Sequence, residues 1–206
     1  VLGVGDARFE AALTGDGSLL GAPLVLRTGD HETVVIDATG VHESVGAWVE
    51  FLARAKDARG NEAFPEVEVE DASEMLVPLL LLGDLSGEVL LDYLHNGAGL
   101  PEPGATRQLR LDAITCIVTR LDLPQGTPAF LLLVPPGSAR VLWRSLLSFT
   151  EVTPVGHRAL SSLLSRILPW ASVLNGSGPV RVPREQLEKW GIVREGAEFV
   201  GGRALA

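Results

Sequence analysis

The run AFLLLV, Ala129 to Val134, constrains this chain more than any other stretch of it. A strand without a polar position has no face to show to water, so the fold must cover it on both sides. Just upstream, Leu123-Pro124-Gln125-Gly126 has proline second and glycine fourth, the places a tight turn favours. Before that turn, Arg107 to Asp122 reads as one long strand. Its inward positions change from Leu109, Leu111 and Ala113 to Ile114, Cys116 and Val118, and a bulge near Ala113 would produce that shift. The expectation is an antiparallel hairpin at about 107–134 whose second strand is buried on both faces.

Amphipathic helices are available to cover it. After Ser44, Val45, Trp48, Val49 and Leu52 fall at i, i+3, i+4 and i+7. An apolar run from Met75 to Leu82 ends at Gly83, and a second helix runs from about Ser86 to Leu94, where Asn96-Gly97 supplies a left-handed stop. Ser138 caps a third, to Phe149, with Val141, Leu142, Ser145, Leu146 and Phe149 on one side, and Thr153-Pro154 opens a fourth, to Leu168. Leu24 to Arg27 and Thr33 to Asp37 read as two short strands joined at Thr28-Gly29-Asp30-His31. EVEVE, Glu66 to Glu70, reads as an exposed edge strand whose acidic face resists edge pairing. The fold class expected is α+β, with mixed α/β as its variant, and with amphipathic helices packed on the sheet.

At 206 residues, 46% hydrophobic and 21% charged, the chain can bury a full core. The Met75 to Leu82 run contains Pro78 and is far shorter than the about 20 residues a membrane-spanning helix needs. No basic start leads into an apolar stretch at the N-terminus. The expectation is a protein without membrane association, in the cytoplasm. The single cysteine, Cys116, excludes an internal disulfide and a cysteine-rich metal site, and its neighbours Ile114, Ile117 and Val118 mark it as a buried hydrophobe.

The net charge of −9 is unevenly spread. Residues 1–103 hold 19 acids and 5 bases, residues 104–206 hold 7 acids and 12 bases, and LPEPG, Leu100 to Gly104, sits at the switch as a linker. This suggests an acidic α/β half, 1–103, and a basic half, 104–206, with the β-hairpin, two helices and a small C-terminal strand-helix-strand element, the alternative being one continuous domain. Such a division suits a basic surface that meets an acidic protein partner or nucleic acid. It also suits halves that neutralise each other, within one chain or between the copies of a homo-oligomer.

Near the C-terminus, Arg184-Glu185-Gln186-Leu187-Glu188-Lys189-Trp190-Gly191-Ile192 resembles the second half of the Nudix signature, in which paired glutamates hold a catalytic metal ion. Lys189 stands at the second glutamate of the pair, and Gly176 and Trp170 at the upstream glutamate and glycine positions, so a metal ion is not expected here. Val180-Arg181-Val182-Pro183, a short helix, Gly191-Ile192 and Glu195 to Val200 resemble the strand, proline, helix, glycine, strand order of AbrB-like DNA-binding modules. That resemblance implies an intertwined dimer with arginines on phosphates through residues 178–202, although Leu187 is displaced by one position from the usual leucine. A plain capped helix also accounts for the stretch, with Pro183 at its start, Leu187 and Trp190 on one face, and Gly191 as its stop.

The fourth helix carries Leu160, Leu163, Leu164 and Ile167 on one face and Arg158, Ser161, Ser162, Ser165 and Arg166 on the other, without an acid among them. Guanidiniums beside hydroxyls suit phosphate or carboxylate. With Arg181 and Arg184 these are the candidate contacts of a non-catalytic interaction or regulatory protein that works through its basic half. The competing class is a small-molecule enzyme with a site assembled from Asp30, His31, Asp37, His42 and Glu43. Gly3-Val4-Gly5 lacks the strand that should feed a nucleotide loop, and His31, His42, His95 and His157 show no paired metal-ligand spacing. No catalytic residue, metal or cofactor is assigned from the sequence.

Overall fold

The computed structural model of the chain describes residues 2–37, 44–95, 97–123, 125–174, 178–196 and 198–205. In order, its strands are β1 (Ala7–Phe9), β2 (Ala12–Leu13), β3 (Leu19–Gly21), β4 (Leu24–Leu26), β5 (Val34–Ile36), β6 (Val77–Leu82), β7 (Ala105–Leu111), β8 (Ile114–Arg120) and β9 (Ala129–Val134). Its helices are α1 (Ser44–Ala53), α2 (Ser86–Leu91), α3 (Pro136–Leu146), α4 (His157–Ile167) and α5 (Arg184–Lys189). The fold is α+β. The chain divides into two compact units that interleave along the sequence: residues 1–8, 24–35 and 73–172 form the first, and residues 9–23, 36–72 and 173–206 the second.

The first unit is built on a four-stranded antiparallel sheet of order β6-β9-β8-β7. All six residues of β9 are buried, as its composition requires. Phe130, Leu132 and Val134 share one face with Leu109 and Leu111 of β7 and with Cys116 and Val118 of β8. Val89, Leu90 and Tyr93 from α2, and Ala139, Leu142 and Leu146 from α3, complete that core. On the opposite face Leu131 and Leu133 are buried, and the hydroxyls of Thr106 and Thr119 meet at 2.9 Å out of solvent. Beyond β7 the sheet is extended by the N-terminal segment, where the Ala7 N–H donates to Gly104 O and the Thr106 N–H to Gly5 O.

Three local expectations are corrected in this unit. Arg107 to Asp122 is two strands rather than one bulged strand. Leu111 pairs with Ile114 as the last rung of a hairpin, and Asp112 turns the chain at φ 50°. A two-residue loop shifts the inward parity just as a bulge does, because Leu109 then faces Cys116 across the ladder. Helix α3 starts at Pro136 after Pro135, two residues before Ser138, and Val141 faces solvent at 62% exposure instead of the core. Helix α4 starts at His157 after an extended Gly156, so Thr153-Pro154 precedes the helix rather than opening it. Its apolar face is as expected, with Ile167 buried and Leu160, Leu163 and Leu164 half-buried.

In the second unit, β2 pairs with β3, and Leu19 of β3 exchanges backbone hydrogen bonds with Val180. Helix α1 packs on β3 through Val45, and the Trp48 indole N–H donates to Leu13 O at 3.0 Å. The approach is so close that a Cβ on Gly21 would lie 2.5 Å from Val45 Cγ2. Leu187 of α5 and Ile192 are buried, and the Ala11 N–H donates to Ile192 O at 2.7 Å. Pro183 precedes α5, and Gly191, at φ 71°, terminates it. Trp190 is half-buried, so Leu187 makes the deeper contact of this helix.

EVEVE does not form a strand. Glu66 lies in an exposed turn and residues 67–70 are exposed coil, with Val67 and Val69 open to solvent, because alternation becomes a strand only where a neighbour satisfies its backbone. Asn96 and Pro124, the residues expected at a helix stop and a turn, lie outside the described residues, as does Gly176. No helix among the described residues is long and apolar enough to cross a membrane.

Candidate interaction surface

The seven candidate contacts separate into two groups. Arg158, Ser161, Ser162, Ser165 and Arg166 all lie on α4, where both arginines, Ser161 and Ser162 are exposed. The Ser161 hydroxyl donates to His157 O at 3.0 Å and that of Ser165 to Ser161 O at 2.9 Å, so the helix itself uses both protons. Neither guanidinium has a carboxylate partner among the described residues. Arg181 and Arg184 belong to the second unit, and both are engaged. Arg181 Nη2 is 3.3 Å from Asp16 Oδ2, while Arg184 Nε is 2.7 Å from Glu188 Oε1 and its Nη2 donates to Gly196 O at 2.9 Å. Arg194 likewise pairs with Glu10 at 2.9 Å. The Asp16 carboxyl titrates below its usual range, chiefly because the Thr14 hydroxyl and then the Ser18 backbone N–H donate to its charged form, with a smaller attraction from Arg181.

The charge division by sequence halves does not follow the two units. The second unit includes both the acidic 36–72 segment and the basic 173–206 segment, with 15 acids and 8 bases in all, and the first unit holds 11 acids and 9 bases.

A surface on α3 escaped the sequence reading. Arg140 and Arg144, one turn apart, occupy the middle of its outward face, with Val141 on one flank and Trp143, 40% exposed, on the other. Neither arginine has a carboxylate partner among the described residues. Tryptophan and arginine together are the side chains that contribute most to protein interfaces. A signal was present in the sequence: three apolar residues in succession, Val141, Leu142 and Trp143, span about 200° of helix and cannot all face one core.

Of the dispersed acidic and histidine set, the structure describes Asp30, His31 and Asp37. Asp30 and His31 are exposed between β4 and β5, where Arg27 Nη2 donates to the Asp30 carbonyl, and Asp37 is half-buried just after β5. His42 and Glu43 lie outside the described residues. Among the described residues no group of three or more His, Cys, Asp or Glu is placed to hold a metal ion. His95 Nε2 lies 2.9 Å from Asp112 Oδ1 at the hairpin turn, with both side chains mostly in solvent. An open depression of about 580 Å³ runs along α1 and beyond it, lined by Ala47, Glu50, Phe51, Arg54, Ala55 and Lys56. Phe51, exposed in that lining, stacks on Trp48 at 5.2 Å between ring centres. Burial pushes the Cys116 thiol up to about 11, so it is protonated and unreactive at neutral pH.

These elements define the class by architecture: an α+β chain with an antiparallel sheet whose central strand is covered on both faces. A solved structure shares it. The aminomethyltransferase T of the glycine cleavage system from Bartonella henselae matches 100% of this chain with a TM-score of 0.60 and 22% sequence identity. That likeness is one of fold. The match takes in 53% of the neighbour, so the chain spans about half of its length. No protein-family model matches the chain, and no curated protein matches it.

Proposed function

We propose that this chain is a non-catalytic interaction protein of the cytoplasm, with a regulatory role, that binds a carboxylate-rich protein partner through the arginine-bearing outer faces of α3 and α4. The placing of unpartnered guanidiniums beside exposed apolar side chains on α3 carries the reading. Arg54, Arg181, Arg184 and Arg194 each have a carboxylate within 3.6 Å. Arg140, Arg144, Arg158 and Arg166 are exposed and have no such partner among the described residues, as is true of Arg59, Arg107, Arg110 and Arg203 elsewhere, but Arg140 and Arg144 stand between Val141 and Trp143. An exposed guanidinium is well solvated and adds little to folding, yet it offers a planar pair of donors to an incoming carboxylate. Trp143 and Val141 supply the apolar flanks that exclude water from such contacts.

An acidic protein suits this surface better than nucleic acid. The whole chain carries −9, which repels a phosphate backbone at a distance. Arg181 and Arg184, which the AbrB-like resemblance would place on phosphates, already hold carboxylates. The solved neighbour is by name an aminomethyltransferase, but a transfer reaction here would rest on fold alone.

The test is a salt titration of binding to a polyglutamate peptide and to a mixed-sequence DNA duplex. The peptide is expected to bind at low salt and to weaken as salt rises. Arg140→Glu with Arg144→Glu is expected to lower its affinity by at least about tenfold, the scale of one charge-assisted hydrogen bond, and Arg158→Glu with Arg166→Glu by less. Tighter binding to the duplex than to the peptide transfers the reading to nucleic acid. Binding to neither probe ends it.

A further inference from the structure

We infer that the partner is a second copy of this chain, whose residues 66–71, EVEVED, lie along the Arg140 and Arg144 face of α3. The proposal rests on the reading of α3 as a carboxylate-binding surface and names what fills it. Residues 66–71 are exposed and belong to no sheet among the described residues. Glu66, Glu68 and Glu70 have no cationic partner among those residues either. Three glutamates in five residues repel one another along this segment, so bringing two guanidiniums to it relieves the repulsion.

The spacing matches as well as the charge. Alternate side chains of an extended segment lie on one side, about 6.6 Å apart. Residues four apart on a helix are about 6 Å apart along its axis. Two successive glutamates can therefore meet Arg140 and Arg144 at once, while Trp143 and Val141 border the contact. One chain carries both halves of the complement. Two copies related by a two-fold axis make the contact twice, which closes the assembly as a dimer and strengthens two weak contacts through their linkage.

Sedimentation equilibrium over a range of protein concentrations tests this, with thermal unfolding to verify that each variant is folded. The wild type is expected to dimerise at low salt and to dissociate near about 1 M salt, where the screening length falls to about 3 Å. Glu66→Lys with Glu68→Lys and Glu70→Lys, or Arg140→Glu with Arg144→Glu, is expected to weaken the dimer by at least about tenfold each. Mixing these two variants is expected to restore it, since both contacts are again complementary in the mixed dimer. The neutral set Glu66→Gln, Glu68→Gln and Glu70→Gln weakens the dimer without adding repulsion. A wild type that stays monomeric at every concentration overturns the proposal, and so does an arginine variant that dimerises as tightly as the wild type. A monomer that still binds polyglutamate leaves the interaction reading in place, whereas one that binds neither removes both.

Discussion

The sheet of the first unit and the strand-and-helix cluster of the second solve the same problem by different means. In the first, β7, β8 and β9 form ladders four to seven pairs long, and their alternate residues merge into one apolar cluster with α2 and α3. In the second, β2 and β3 are two and three residues long, and segments far apart in sequence are joined at discrete points: Leu19 to Val180, Ala11 to Ile192, Asp16 to Arg181 and Glu10 to Arg194. A continuous core spreads its free energy over many small contacts, whereas point attachments concentrate it in a few close approaches. The first arrangement should lose stability mainly through cavities, and the second mainly through crowding and through loss of ion pairs.

The largest effect is expected at Leu132, which is fully buried in the middle of β9. Leu132→Ala should cost about 2–5 kcal/mol in urea unfolding, and a loss below that range would mean that the core can collapse around the gap. An intermediate effect is expected at Gly201, which sits at φ 78°, where a Cβ would run into the Thr14 carbonyl and lie 3.1 Å from Leu13 Cβ. Gly201→Ala should destabilise by about 1–3 kcal/mol through crowding although it removes no contact. A neutral outcome there would dissolve the contrast between the regions. The smallest effect belongs to Asp16. Its carboxyl is held below the usual value of 3.8, so folding favours its charged form. The resulting stability is fully present above that pH and fades as pH falls through the lower folded value. Acid titration of wild type and Asp16→Asn should therefore show two stabilities that differ at neutral pH and converge in acid; a constant gap would deny the carboxylate this role.

The same contrast decides what could be read from the sequence. Strand β9 was legible because six apolar residues admit one environment, and the core face of α1 because Val45, Trp48, Val49 and Leu52 keep the helical period. The turn at Asp112 was misread as a bulge because both devices shift parity by one and only the ladder register separates them. EVEVE failed as a strand because period two describes a side-chain pattern and contains no information on whether a neighbouring backbone is present. The basic C-terminal half was visible as composition, but its pairing with Glu10 and Asp16 was not, since contacts across more than 160 residues leave no local trace. The arginine face of α3 was missed because Val141 was assigned to the core, which concealed how much of that helix is in water.

The interleaving of the two units bears on how the protein is made. The sheet of the first unit is encoded before residue 173, so its ladders can close while synthesis continues. The cluster around β2 and β3 needs Val180, Leu187 and Ile192, which come after the whole of the first unit. At the usual elongation rate of about 5–20 residues per second, Leu13 and Leu19 wait roughly ten to forty seconds for the segment that will bury them. During that interval the nascent chain presents apolar N-terminal strands whose C-terminal partners have not yet been made.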